Sequence, residues 1–138
     1  MHLNGRIEPT QWVKDMYNMH AKYGVHKWME TATDEQKRDF MEFRIKFLAE
    51  ELHETMDAFE ANDKEEIVDG LIDLCVIAIG TLDAFGVDAD KAWDEVLRCN
   101  MAKEVGVKES RPNPLGLPDL IKPEGWRGPD HSRNTGTI

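Results

Sequence analysis

Cysteine, positive charge, long apolar runs and catalytic glycine loops are all scarce in this chain of 138 residues. There are two cysteines, Cys75 and Cys99. Both fall in helix-patterned stretches without metal-type spacing, which points to free thiols of a reducing compartment rather than a disulfide framework. Lys and Arg total 17 against 27 Asp and Glu, a formal net charge of −10 and a pI near 4.9. That imbalance weighs against nucleic acid and anionic membrane as partners. The longest apolar run, residues 74–79, is far below the roughly 18 residues that suggest a spanning helix, and the first residues show no apolar signal region. A soluble cytoplasmic protein without a membrane partner is the expectation. No glycine-flanked serine and no phosphate-cradling glycine loop occurs, and neither cysteine has a plausible histidine partner, so nucleophilic and P-loop chemistries have little support. β-alternation is missing too.

What is present is helical periodicity. Pro9 and Thr10 suit a helix start and Gly24 its end, with Trp12, Met16, Met19 and Tyr23 on one stripe. Residues 25–33 look like a connector. Thr33-Asp34-Glu35-Gln36 is a capping-box pattern that opens a second helix, whose apolar positions are Phe40, Phe43, Phe47, Leu48, Leu52, Met56 and Phe59. A third helix starts near Asp63 and ends before Gly86. A fourth, capped by Asp88, runs through Trp93, Val96, Leu97 and Met101 to Val105. After Gly106 come Pro112, Pro114, Pro118, Pro123 and Pro129 with several glycines, which excludes a helix. The predicted architecture is therefore all-α. A four-helix bundle, residues 1–106, forms a catalytic domain, and residues 107–138 form an extended Pro/Gly-rich tail. Arg111, Lys122, Arg127 and Arg133 give the tail basic anchors. Leu115, Leu117, Leu120, Ile121 and Trp126 would let it dock on a helical surface. Residues 71–79 are apolar on nearly every side apart from Asp73, which in so short a chain argues for a second subunit covering one face.

The acids are arranged around this bundle. Glu50, Glu51 and Glu54 lie on the second helix, and Glu66, Asp69 and Asp73 on the third, with a short polar break at Ala61-Asn62-Asp63 between them. Acids three or four residues apart share a helix face, and a short connection makes the two helices antiparallel neighbours. Glu51 falls inside the apolar stripe, between Leu48 and Leu52 on the helical wheel. An unpaired acid there costs roughly several kcal/mol of desolvation. Glu42, Glu60 and Glu65 read as a solvated face. Glu51, Glu54, Glu66 and Asp69 suit Mg²⁺, or Mn²⁺ in its place, as hard oxygen ligands. Magnesium usually shares its shell with phosphates, so a nucleoside triphosphate is the natural guest. Asn100, Lys103 and Lys122 would meet those phosphates.

Two rival metal readings fail on the residues. Glu50 and His53 make one Glu-x-x-His, but a di-iron bundle needs a second pair. His2, His20, His26 and His131 have no glutamate three residues before them. The Asp88-Ala89-Asp90 stretch starts like a calcium loop but lacks the glycine at the sixth position.

EELHE at 50–54 followed by EIVD at 66–69 resembles the EExxE…ExxD signature of the MazG-like all-α nucleoside triphosphate pyrophosphohydrolases. DGLIDL at 69–74, EVLRCNMAKE at 95–104 and LIKPEGWRGPD at 120–130 look like the branch related to phosphoribosyl-ATP pyrophosphohydrolase, small phage-encoded members included. For a phage-encoded chain the compartment would be the host cytoplasm. The resemblance implies Glu51, Glu54, Glu66 and Asp69 as metal ligands, Glu50 as the extra acid of the signature, Asp73 as an acid one turn further along, and Asn100 and Lys103 near the phosphates. It further implies hydrolysis of a nucleoside triphosphate to monophosphate and pyrophosphate, in a homo-oligomer that is a dimer or a dimer-built tetramer. A single such unit is present.

The expected chemistry is metal-assisted attack of water on the α-phosphorus, with two or three Mg²⁺ ions about 3.5–4 Å apart. Glu50 or Glu54 would take the proton. Asp73 would orient a ligand or a water, and Lys103 and Lys122 would neutralise the outer phosphates. Two alternatives stand beside it. One is a non-catalytic helical protein whose acidic patch binds metal or a basic partner. The other is the same chemistry on phosphoribosyl-ATP or a modified nucleotide. Trp12, His20 and Trp126 are candidate base-stacking residues.

Overall fold

The computed structural model describes residues 8–108, 115–116 and 118–138. Among these, five helices precede a small β-ribbon: α1 Gln11–Lys22, α2 Val25–Thr31, α3 Asp34–Glu60, α4 Lys64–Ala84, α5 Ala89–Met101, β1 Glu104–Gly106 and β2 Asp119–Ile121. The all-α expectation holds, with the connector at 25–33 forming the extra short helix α2.

Local chemistry sets the helix boundaries. At α3 the Thr33 side chain accepts from Gln36 N and the Gln36 side chain accepts from Thr33 N, a complete capping box. Asp63 caps α4 by accepting from Glu66 N, and Asp88 caps α5 by accepting from Lys91 N. Between α3 and α4 the chain turns through Asn62 at φ +55°, a conformation asparagine tolerates better than most residues. Gly24, at φ +79°, stands between α1 and α2 and reverses the chain there.

The α3–α4 hairpin is the backbone of the fold. Thr55 faces Gly70, and eleven residues earlier on α3 Arg44 reaches eleven residues later on α4, donating to Thr81 Oγ1 and Ile77 O at 2.9 and 3.0 Å. Positions that descend along one helix as they ascend along the other make the pair antiparallel. α1 lays Met16 and His20 against α4 at Gly80, where a Cβ would collide with Met16 Cε and the Arg44 guanidinium. The far end is closed by a cluster of Met29, Ala84, Phe85 and Val87, with Val25, Phe40, Met41 and Leu82 packed onto it.

α5 stops at Met101 rather than continuing to Val105. Ala102 N and Lys103 N close its last turn on Arg98 O and Asn100 O, and residues 104–106 become a strand. That strand pairs antiparallel with β2, Val105 opposite Leu120. Gly106 leaves the space that the Ile121 side chain fills. The following segment is strapped to the bundle. Trp126 Nε1 donates to Cys99 O at 2.8 Å. Asn134 both accepts from Asp88 N and donates to Asp88 O at 2.8 Å, and Thr137 N donates to Phe85 O at 2.8 Å. Of the expected tail anchors, Trp126 and Ile121 are half-buried, Leu115 is exposed, and Leu117 and Arg111 lie outside the described residues. Cys99 is buried and Cys75 half-buried, and both are free.

Within one chain α4 is not covered on every side: Val68, Leu71 and Ile72 are exposed, as are Phe43, Leu52, Met56 and Phe59 of α3. Among the described residues no single helix is long and apolar enough to cross a membrane.

Candidate functional site

The α3–α4 crossing is built on a missing side chain. Gly70 has no Cβ, and one placed there would run into the Thr55 hydroxyl. Thr55 is itself buried and donates to Glu51 O at 2.8 Å, one turn back on α3. The helices therefore approach closely at a point flanked by Glu51 and Glu54 on α3 and by Asp69 and Asp73 on α4. Glu51 and Asp73 are half-buried, whereas Glu50, Glu54, Glu66 and Asp69 are exposed.

The electrostatics of these acids reflect the crowding. Glu51 has its pKa raised above the ordinary 4.5, first by desolvation and then by the negative charges of Glu54, Asp73, Asp69 and Glu50. Asp73 is likewise raised from 3.8 by desolvation, by the charge of Asp69, and by a carboxyl–carboxylate hydrogen bond with Asp69. Five of the acids singled out in the sequence thus act on one another across the crossing. Glu66 is not among the charges that raise Glu51. It stands one turn before Asp69, at the capped start of α4.

The residues expected to meet phosphates form a neighbourhood of their own. Lys103 Nζ and Lys122 Nζ lie 5.3 and 5.1 Å from the centre of the Trp126 ring, and Asn100 O accepts from Lys103 N at 3.1 Å. Lys103 and Lys122 are thereby gathered over Trp126 beside the end of α5, whose last turn contains Asn100. Among the described residues the contacts of the two lysines run to Trp126 and to α5.

One candidate changes character. His20, considered for base stacking, is 4% exposed and cannot offer a ring face to a ligand from solvent. Its Nδ1 lies 2.8 Å from Asp83 Oδ2, and His26 Nε2 lies 2.7 Å from the same oxygen. The ligand atoms of these three residues all fall within 4.8 Å of one another. This grouping was not anticipated from the sequence. The faint signals were His20 four residues after Met16 on the buried face of α1, and an aspartate in the apolar last turn of α4. His53 is exposed and 3.6 Å from Asp57, which removes the last support for a di-iron role.

A family model described as phosphoribosyl-ATP pyrophosphohydrolase matches residues 24–100, more than half of the chain. No curated protein and no solved structure matches it. The matched span includes all six acids singled out on α3 and α4 and Asn100, while Lys103 and Lys122 lie beyond it. The chain belongs to the phosphoribosyl-ATP pyrophosphohydrolase family, within the MazG-like superfamily, and is by that membership a nucleotide pyrophosphohydrolase.

Proposed function

We propose that this protein hydrolyses nucleoside triphosphates, deoxynucleoside triphosphates included, to the monophosphate and pyrophosphate in a Mg²⁺-dependent reaction. The observation that carries the proposal is the charge at the α3–α4 crossing. Among the described residues every charge that shifts Glu51 is negative, and both Glu51 and Asp73 hold their protons more tightly than free carboxyls do. Like charges held together by a tight helix crossing are unfavourable until a cation joins them. The donors are all carboxylate oxygens, a set that fits a hard divalent ion such as Mg²⁺ or Mn²⁺. Glu51, Glu54, Glu66 and Asp69 would hold it. When bound, such an ion supplies Lewis-acid polarisation of the phosphoanhydride and acidifies water.

The chain's own groups would do the rest. Water attacks the α-phosphorus, the bond to the β-phosphate bridge breaks, and pyrophosphate leaves. Glu50 or Glu54, both solvent-facing at the crossing, would accept the proton of that water. Asp73 is hydrogen-bonded to Asp69 and so would fix the orientation of that carboxylate. Lys103 and Lys122, held on Trp126, would neutralise the departing phosphates together with Asn100. The exposed apolar faces of α3 and α4, with Phe59 70% and Leu71 52% accessible, would be covered in a dimer or a dimer-built tetramer. That assembly would also decide which subunit's lysines serve which set of acids. The protein would act in the cytoplasm, on small nucleotides rather than on nucleic acid or membrane.

A second reading keeps the chemistry and changes the substrate to phosphoribosyl-ATP, which the description of the matching family favours. One panel separates the readings: the eight common NTPs and dNTPs and phosphoribosyl-ATP, each with Mg²⁺, with pyrophosphate and orthophosphate both quantified. Pyrophosphate from one or more triphosphates supports the proposal, and pyrophosphate from phosphoribosyl-ATP alone supports the second reading. Orthophosphate as the product would overturn both. No turnover and no Mg²⁺-dependent nucleotide binding would leave a non-catalytic helical binding protein.

A further inference from the structure

We propose that His20, His26 and Asp83 form a binding site for a zinc-class divalent cation, distinct in place and in metal preference from the carboxylates at the α3–α4 crossing. The three side chains come from three helices. His20 sits in the last turn of α1, His26 in the first turn of α2, and Asp83 in the last turn of α4. The reversal at Gly24 brings the two imidazoles to one side although only six positions separate them. Their rings stand edge to face, 80° apart with centroids 6.1 Å apart, so their ring nitrogens converge on Asp83 Oδ2 from different directions.

The spacing suits a metal. In tetrahedral zinc sites the ligand atoms stand about 3.3–3.6 Å apart, as bond lengths of about 2.0–2.2 Å require. Here two pairs are at 2.8 and 2.7 Å and the whole set lies within 4.8 Å. An ion would enter by parting the two close pairs by roughly 0.5–0.9 Å and bringing the widest separation into the same range. A neutral imidazole offers its lone pair at the required nitrogen by carrying its proton on the other one, so both rings bind without changing charge. Burial of His20 favours that neutral form. Asp83 supplies the one negative charge, with a side chain only 10% accessible.

The surroundings also suit an ion with an open coordination position. His26 and Asp83 line a cavity of about 990 Å³ between α1, α2, the end of α4 and the turn into α5. The Tyr17 ring lies tilted by 41° against His26, with centroids 4.5 Å apart, and limits its rotation. Arg44, whose charge acts on His20, has its guanidinium already committed to Thr81 Oγ1 and Ile77 O, and Lys14 and Lys37 line the same cavity as His26 and Asp83. A cation here would tie the α1–α2 hairpin to the end of α4. Imidazole nitrogen suits zinc-class ions, whereas carboxylate oxygens suit magnesium when it is in excess, so the two sites would load differently from a solution rich in Mg²⁺.

The test uses the full chain, stripped with chelator and then held in saturating Mg²⁺ to occupy the carboxylates. Zinc is titrated by calorimetry and by competition with a chromophoric chelator. One Zn²⁺ per chain is expected, retained in Glu51→Gln. His26→Gln and Asp83→Asn should each weaken it by at least about 100-fold, beyond the roughly 10–100-fold that losing a ligand-orienting partner costs. Co²⁺ alone, as a second probe, should give the strong visible absorption of a low-symmetry nitrogen-containing site in the wild type and in Glu51→Gln, and not in Asp83→Asn. His26 lies at the accessible edge, so His26→Gln decides the matter should Asp83→Asn fail to fold. Absence of zinc binding under saturating Mg²⁺, or equal zinc affinity in wild type and His26→Gln, would overturn the proposal and leave a hydrogen-bonded His–Asp–His link.

Discussion

Two charged regions sit on α4 about 15 Å apart, from Asp73 to Asp83, on a helix that rises about 1.5 Å per residue. At the first, carboxylates face carboxylates, and burial and mutual repulsion both work against ionisation. At the second, one buried carboxylate is met by two imidazole nitrogens at hydrogen-bonding distance. In the metal-free chain the carboxylate of the second region already has two partners, the imidazoles of His20 and His26. The first is held together against its own electrostatics by the Thr55–Gly70 contact and by the packing of α3 on α4. A fold keeps such repulsion where a ligand relieves it, and this is the physical ground for placing the reaction at the crossing.

The largest effect should come from removing divalent ions. Excess EDTA is expected to abolish pyrophosphate release and Mg²⁺ to restore it. Full activity in EDTA would remove the functional distinction between the two regions. Next is the contact that creates the crossing. Gly70→Ala introduces a Cβ into the Thr55 hydroxyl. Overpacking of this kind costs about 1–3 kcal/mol, offset by about 1 kcal/mol of improved helix propensity. Denaturant unfolding should show a net loss that adding Thr55→Ala largely repairs. A stabilised Gly70→Ala would mean the helices are not in close contact there.

The two regions should also respond to pH with opposite sign in the metal-free chain. Glu51 and Asp73 bind protons more tightly when folded than when unfolded. Their favourable contribution is complete below the ordinary carboxylate values of 4.5 and 3.8 and is lost as pH rises through the raised ones. His20 is lowered from 6.5, chiefly by burial, with the hydrogen bond and charge of Asp83 opposing and with Arg44 and His26 adding. Its contribution is present above 6.5 and is lost as pH falls through the lowered value. Melting temperature against pH should therefore lose part of its decline above the carboxylate range in Glu51→Gln. Identical slopes for wild type and variant would contradict the crowding of acids at the crossing. The smallest effect concerns the lysine platform, which belongs to neither region. Trp126→Phe removes the bond to Cys99 O, worth about 1 kcal/mol, while keeping a ring beneath Lys103 and Lys122. Denaturation should register that loss, and an unchanged midpoint would show that the tail is held elsewhere.

What the sequence disclosed was local. The Thr33–Gln36 box and the Asp63 and Asp88 caps were legible because both partners lie within one turn. Glu51 was legible because a helical wheel shows an acid where an apolar residue belongs. The short helix α2 was not, since seven residues after a left-handed Gly24 carry too little periodicity to register. The β1–β2 pairing sets Val105 opposite Leu120 in two three-residue strands, a contact no local pattern announces. Gly70 inside α4 was visible as a residue, but its reason is the Thr55 side chain on another helix. The His20–Asp83 and His26–Asp83 contacts span 63 and 57 positions and exist only after α1 and α2 have packed on α4.

The central claim is that the acids at the α3–α4 crossing carry the hydrolysis. Its most direct test is pyrophosphate release by Glu51→Gln and Asp69→Asn, measured beside the wild type with the best substrate of the panel and saturating Mg²⁺. Both variants should fold, as judged by circular dichroism. Each should lose turnover by roughly 100- to 1000-fold, the scale expected when a group that stabilises the transition state is removed. Full turnover in both variants would contradict the assignment.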